Sequence, residues 1–138
     1  MAIQTYRDLE VWQRAMDLAE EVYQQTQNFP REELYGLTSQ IRRAVVSVPA
    51  NIAEGYGRIH RKEYIHHLSI AQGSLQEAET QLQITVRLQY LDREQVKRAW
   101  NLMQDVGKML RRLMLSLSEK KTQPKDPRPE TQDPGSEG

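Results

Sequence analysis

Glutamate and histidine at a metal-ligand spacing are the first residues of this chain that could do chemistry. Glu63 and His66 stand three residues apart, and dinuclear sites in helical bundles use two such Glu-x-x-His motifs together with two further inward-facing glutamates. The chain contains one copy of the motif, and its other histidines, His60 and His67, lie beside it. Cysteine is absent, which removes thiolate ligands and disulfides. The sequence therefore predicts no metal site and no cofactor.

A catalytic nucleophile or a phosphate loop is not indicated either. No serine lies in a Gly-x-Ser-x-Gly turn. Gly55 and Gly57 resemble part of a phosphate loop, but they follow a helical pattern rather than a strand, and no Gly-Lys-Ser/Thr comes after them. We interpret these glycines as the end of a helix with left-handed backbone. We therefore expect a protein that is not an enzyme.

Residues 36–58 combine apolar and polar positions in a way that predicts more than one packing partner. On a helical wheel, one broad face is apolar and a second flank is small or apolar. The broad face holds Leu37, Ile41, Ala44, Val45, Val48, Ile52 and Tyr56, and the second flank holds Val46, Pro49, Ala50 and Ala53. A narrow polar stripe between them contains Gln40, Arg43, Ser47, Asn51, Glu54 and Arg58.

Three hypotheses account for this polar stripe. It is a polar network that fixes the register of helices or subunits (Arg43, Ser47, Asn51 and Glu54), a row that faces nucleic acid, or a solvent-exposed face. A buried guanidinium needs an acceptor. Arg43 and Glu54 stand about three turns apart, so they could pair only between helices or subunits. The network hypothesis predicts that Arg43 and Asn51 are at least partly buried.

Basic residues around the same segment are candidates for nucleic-acid contacts. Arg42, Arg58, Arg61 and Lys62 could contact phosphates, with tyrosines interleaved for base stacking. Glutamates share this region, and the formal net charge of the whole chain is +0. Strong nucleic-acid binders are usually basic overall. A second basic group falls between residues 92 and 121, where Lys and Arg outnumber Asp and Glu.

The elements that must position these residues are four amphipathic helices, and no strand pattern appears. Apolar residues that recur every three to four positions predict helices over about residues 8–26, 36–58 and 62–89 and from residue 92 onward. Pro49 predicts a kink in the second helix, because proline has no amide proton and crowds the preceding turn. A break into two short helices is the alternative.

Single residues predict how the helices begin and where they approach each other. Asp8 is expected to cap the first helix. Asp92 and Gln95 have the spacing of a capping box at the start of the fourth. Gly73, in the middle of the third helix, suggests a close backbone approach, with Ala50 or Ala53 as the facing residue.

Short connections between helices of this length predict an all-α, antiparallel up-down-up-down four-helix bundle with a kinked second helix. We assign residues 1–118 to this bundle and residues 119–138 to a disordered, proline-rich polar tail. No apolar run reaches the length of a membrane span, and the amino terminus lacks the pattern of a signal peptide. We expect a cytoplasmic protein without a membrane partner.

Several motifs, in a fixed order, also resemble a known family. They are DLEVWQRAM at residues 8–16, YGLTSQIRRA at 35–44, SVPANIAEG at 47–55 and GSLQE at 73–77. Together they resemble the bacterial four-helix-bundle proteins called 23S rRNA-intervening-sequence proteins, over about residues 6–118. The resemblance implies no established catalytic activity and assembly into rings, typically homopentamers.

The function implied by the resemblance is that of a non-enzymatic oligomeric scaffold associated with RNA or a ribonucleoprotein. An alternative is implied by accessory variability proteins of diversity-generating retroelements, which share the fold. Those proteins are basic pentamers that bind a reverse transcriptase and nucleic acid. The balanced charge of this chain departs from that subgroup.

Overall fold

The computed structural model describes residues 2–122, and this part of the chain is all-helical. It contains helices α1 (Glu10–Gln25), α2 (Leu37–Tyr56), α3 (Arg61–Arg87) and α4 (Lys97–Thr122), with short 3-10 helices at Tyr6–Asp8 and Arg31–Glu33. The predicted all-α, four-helix fold is confirmed. The predicted tail falls partly on α4, which continues past residue 118, and its remaining residues, 123–138, lie outside the described part. None of the described helices is both long enough and apolar enough to cross a membrane.

The core is built from the apolar faces of all four helices. Fully buried side chains include Leu18 on α1, Ile41 and Val48 on α2, Leu68 and Leu75 on α3, and Met103 and Leu110 on α4. Burial of each such side chain contributes about 1.5–3 kcal/mol. Each of the four α-helices packs on two of the others: α1 on α2 and α4, and α3 on α2 and α4. The apolar face predicted for α2 is therefore the face that enters the core.

The contacts between helices follow a reversed order along the sequence. As α2 proceeds from Ser47 to Asn51, its partners on α3 move back from Ser74 to His67. The same reversal links Arg14 to Asp105 and Glu21 to Arg98 between α1 and α4. Such an order is that of neighbouring helices that run in opposite directions.

Proline does not divide the second helix. Pro49 is buried inside α2, and the helix is continuous from Leu37 to Tyr56. The preference for one helix over two short ones is therefore confirmed, whereas the kink at Pro49 stays a prediction.

The prediction that Asp8 caps the first long helix is wrong. Asp8 belongs to the preceding 3-10 helix, where its Oδ2 accepts hydrogen bonds from the amides of Gln4 (2.9 Å) and Thr5 (3.2 Å). These bonds lower the pKa of the Asp8 carboxyl, with the Gln4 amide as the main cause. Leu9 occupies the N-cap of α1 without a side-chain cap. Sequence alone does not show that a short turn precedes α1 and takes the carboxylate.

Two other carboxylates accept backbone hydrogen bonds near helix starts. The reciprocal bonds predicted for Asp92 and Gln95 are confirmed, since each side chain accepts from the other's amide, at 2.8 and 2.9 Å, but they cap a turn that precedes α4, which begins at Lys97 rather than after residue 92. At the start of α2, the Glu33 carboxylate accepts from the Leu37 amide (3.0 Å) and from the Tyr90 hydroxyl (2.8 Å). These bonds lower the pKa of Glu33 and raise that of Tyr90.

The glycines differ from their predicted roles. Gly57 follows α2 with φ −79°, a right-handed conformation, so the left-handed helix end predicted there is wrong. The left-handed residue is Gln89, with φ 64°, after α3. The close approach predicted at Gly73 is also wrong, because a Cβ at this position would meet no atom within 4 Å.

Candidate functional site

A chain of side-chain hydrogen bonds joins α2 to α3, and we call it the α2–α3 polar chain (Ser47, Asn51, His67 and Ser74). Asn51 Nδ2 donates to the carbonyl and to Oγ of Ser47, at 2.9 and 3.0 Å. Ser47 Oγ lies 2.8 Å from Ser74 Oγ, and His67 Nδ1 lies 3.1 Å from Asn51 Oδ1. Because an amide oxygen only accepts, His67 donates from Nδ1. All four side chains are half-buried.

The polar chain forms because the two helix backbones come close together at Gly55. A Cβ on this buried glycine would lie 2.8 Å from His67 Cβ and 3.2 Å from the Tyr64 carbonyl oxygen. Such distances exclude a larger residue without a shift of α3. Short side chains such as serine can therefore meet across this edge of the bundle.

Tyr64 lies at the end of the α2–α3 polar chain that is nearest Gly55. Its ring packs edge-to-face on Tyr56, with centroids 6.0 Å apart. Burial raises the pKa of the Tyr64 phenol to about 12, since the phenolate would lose its hydration, and Tyr56 adds a smaller effect. Tyr64 is therefore a neutral packing residue at ordinary pH.

The structure separates the four residues of the predicted network. Ser47 and Asn51 belong to the α2–α3 polar chain, and Asn51 is half-buried as expected. Glu54 instead pairs on the surface with Arg58, just after the end of α2, at 2.8 Å. Arg43 is exposed in the single chain, so no helix of the same chain buries it, and its burial by a subunit contact stays a prediction. It lines an open groove of about 500 Å³ together with Ser47, Ser74 and Glu77.

The four residues predicted to contact nucleic acid do not form one basic row. Arg42 turns toward α1, where its Nε donates to Thr26 Oγ1 at 2.8 Å and its guanidinium lies 4.5 Å from the centre of the Tyr23 ring. Arg61 is 7% exposed at the start of α3, so it is not placed to meet a phosphate on the surface. Arg58 is engaged with Glu54, and Lys62 is exposed.

The functional residues that sequence analysis missed are His67, Ser74 and the close-approach role of Gly55. His67 and Ser74 are seven residues apart, so they share one face of α3, and Ser47 and Asn51 are four apart on α2. Those spacings could have indicated a polar edge, but they do not show which helix faces which. Within the described residues, no three acidic or histidine side chains gather where they could hold a metal ion.

Four α-helices whose apolar faces meet in one core place the described part of the chain in the class of small four-helix-bundle proteins. The sequence model of the 23S rRNA-intervening sequence protein family matches residues 7–112. The chain belongs to this family, and the resemblance drawn from its motifs is confirmed.

One solved structure supports the same assignment. It is a protein of unknown function from the S23 ribosomal protein family of Bacteroides thetaiotaomicron, which this chain matches with a TM-score of 0.68 and 26% sequence identity. The match covers 75% of this chain and 97% of that protein. Among curated proteins, no match was found.

Proposed function

We propose that this protein is a non-enzymatic scaffold that assembles with copies of itself and associates with RNA or a ribonucleoprotein. The observation that carries the proposal is a charge-free stretch of α2, with exposed apolar side chains on α2 and on the neighbouring α1. Family membership supports the RNA part, because the family is named for intervening sequences of 23S rRNA. The proposal includes a cytoplasmic location, where ribosomal RNA works.

Four exposed apolar or aromatic residues on these two helices form what we call the α1–α2 outer surface (Met16 and Tyr23 on α1, Val46 and Ala50 on α2). Met16, Tyr23 and Val46 keep 44%, 42% and 44% of their area exposed. Residues 44–53 contain no charged side chain, and Val46 and Ala50 are the exposed residues among them. This stretch covers about 15 Å of helix. A surface helix of a monomer normally carries charges on its outer side.

A second copy of the chain is the partner that fits this surface. Interfaces between identical subunits are more apolar at their centre than ordinary protein surface, and charged residues are depleted there. Tyr23 and Arg42, which stack on each other at the edge, are residue types enriched at such interfaces. In this proposal the second apolar flank of α2 forms a contact between subunits. The family resemblance implies a ring of five subunits.

The mass of the protein in solution tests the assembly. Light scattering with sedimentation should give a closed oligomer for the native chain. Val46→Glu should shift the mass toward the monomer, because it introduces a charge at the centre of the contact. Ile84→Glu is the matched control, since Ile84 is 41% exposed on α3, which does not pack on α1. A monomeric native protein, or equal masses for native protein and Val46→Glu, would contradict the assembly.

An RNA titration tests the partner separately. The affinity for RNA should fall as salt increases, because phosphate contacts release counterions. Absence of binding at low salt would remove the RNA partner and leave the scaffold in place.

A further inference from the structure

A groove between the end of α3 and the start of α4 has a composition unlike the rest of the surface. Its volume is about 410 Å³, which falls in the range of ligand pockets. The floor is apolar, with Leu82 and Val96 buried and Trp100 half-buried. The rim carries three exposed cations, Arg87, Arg93 and Lys97. We call it the Trp100 groove.

The charged residues that line the Trp100 groove are all cations. No carboxylate lines it. Some surface arginines elsewhere in the described chain are paired, such as Arg14 with Asp105 and Arg98 with Glu21. Glu94, which is close in sequence, lines a different groove on the α1 side of α4, to which Lys97 also contributes. A ligand that enters the Trp100 groove therefore meets cations beside an apolar floor.

We propose that the Trp100 groove binds a nucleotide segment of single-stranded RNA, with a base against Trp100 and phosphates on Arg87, Arg93 and Lys97. Sites for single-stranded nucleic acid combine a cationic track with an aromatic side chain on which a base stacks. An acidic peptide could pair with the cations, but its acidic residues carry no planar ring to stack on the indole. Each nucleotide, by contrast, carries both a phosphate and a planar base. This inference rests on the RNA association proposed above and adds its location.

The site is not at the four residues predicted to contact nucleic acid, although Arg93 and Lys97 fall in the second basic group of the sequence. Arg42 is engaged with Thr26 and Tyr23 and Arg61 is buried, whereas the three rim cations are exposed and flank one groove. The last turns of α3 and the capped turn before α4 bring them together. Their positions in the sequence, 87, 93 and 97, span this connection, so only the fold gives them a common rim.

A pair of matched double variants tests the cations with a labelled single-stranded RNA of mixed sequence. Arg93→Gln with Lys97→Gln should weaken binding about tenfold and reduce the slope of log affinity against log salt by about 1.4, the loss of two phosphate contacts. Lys108→Gln with Arg112→Gln removes the same charge from exposed positions of α4 outside the groove. Equal losses in the two variants would overturn the site in favour of general charge attraction.

The indole gives a second, independent readout. The chain has two tryptophans, so Trp12→Phe leaves Trp100 as the fluorescent reporter. Single-stranded RNA should quench this emission. In the native background, Trp100→Phe should largely retain binding and Trp100→Leu should weaken it at least fivefold, because a base stacks on an aromatic ring. Circular dichroism of each variant checks that the helices persist.

The outcomes separate the groove from the broader RNA proposal. No binding by the native protein at low salt would overturn both. Binding that the groove variants leave unchanged would overturn the groove alone. Quenching of Trp100 by an acidic, apolar peptide but not by RNA would assign the groove to a protein partner and overturn the nucleotide proposal.

Discussion

Two edges of the same bundle are closed by different chemistry. At the α2–α3 edge, short polar side chains meet directly, with Ser47 Oγ 2.8 Å from Ser74 Oγ. At the α1–α4 edge, long charged side chains reach across, with Arg98 Nε 3.3 Å from Glu21 Oε1 and Arg14 Nη1 3.6 Å from Asp105 Oδ2. The difference shows that backbone proximity decides which side chains can join two helices. Gly55 allows the backbones of α2 and α3 to come close together. At the α1–α4 edge the long arginine side chains span the gap, so the backbones need not be close.

The largest effect should come from filling the close approach. Gly55→Ala should lower the free energy of unfolding by about 1–3 kcal/mol, because the new methyl group meets His67 and the Tyr64 carbonyl. Gly73→Ala is the matched control, since it adds the same methyl group to a helix where nothing lies within 4 Å. The control should raise stability by about 0.5–1 kcal/mol through helix propensity. Chemical denaturation measures both, and stabilisation by both variants would contradict a tight α2–α3 edge.

The next effect concerns the α2–α3 edge alone, because the buried phenol of Tyr64 lies there and can be followed by alkaline titration. The pKa of Tyr64 is raised from 10.0 to about 12, so the folded state keeps a proton that the unfolded state loses. The stability contributed by this neutral phenol is complete below pH 10 and is lost as pH rises toward 12. Near-ultraviolet absorbance should show a late phase that Tyr64→Phe reduces, with Tyr90, whose pKa is also raised, accounting for the remainder. Tyr35→Phe, at a position 91% exposed, should leave that phase in place.

Loss of the amide in the α2–α3 polar chain should have an intermediate effect. Asn51→Ala should lower the free energy of unfolding by about 1–2 kcal/mol, because His67 and Ser47 lose their half-buried partner. Asn101→Ala, at an exposed position on α4, should change stability by less than about 0.5 kcal/mol. Thermal and urea unfolding measure the pair, and similar losses would mean that the polar chain adds nothing beyond a surface amide.

The α1–α4 ion pairs should show the smallest effect. A double-mutant cycle on Arg98 and Glu21 should give a coupling of about 0.2–1 kcal/mol at low salt. This coupling should fade at high salt, because Arg98 is 64% exposed and its charge is screened. The cycle on Ser47 and Ser74 should be insensitive to salt. If the coupling between Arg98 and Glu21 persisted at high salt, the proposed difference between a screened α1–α4 edge and a salt-insensitive α2–α3 edge would be contradicted.

Much of the fold could be predicted because its cause is local. The spacing of Ile41, Val45, Val48 and Ile52 indicates one buried face of a helix whatever it packs against, and all four are fully buried. The reciprocal pair of Asp92 and Gln95 was also predictable, since both partners lie within one turn. Asp8 shows the limit, because a short 3-10 turn competed for the same carboxylate.

The candidate site could be predicted only in part. The polar stripe on α2 correctly marked Ser47 and Asn51 as residues with partners, but it also included Arg43 and Glu54, which lie on the surface. The basic residues near α2 were grouped because they are close in sequence. In the structure, Arg42 on α2 contacts α1, and Arg61 at the start of α3 is buried. Of the cations of the Trp100 groove, Arg93 and Lys97 belong to the second basic group of the sequence, but Arg87 ends the preceding helix, so the sequence does not show that the three share one groove.

The sequence by itself determined the helices, their apolar faces, and the charge-free stretch of α2, because each depends on side-chain type and a repeat of 3.6 residues. The tertiary structure alone decided which glycine permits close contact. Gly73 and Gly55 are both glycines on helices, but Gly73 faces open space and Gly55 faces α3. It also decided which arginines stay on the surface. Partners from distant parts of the chain fix these properties, and no spacing within a single helix contains that information.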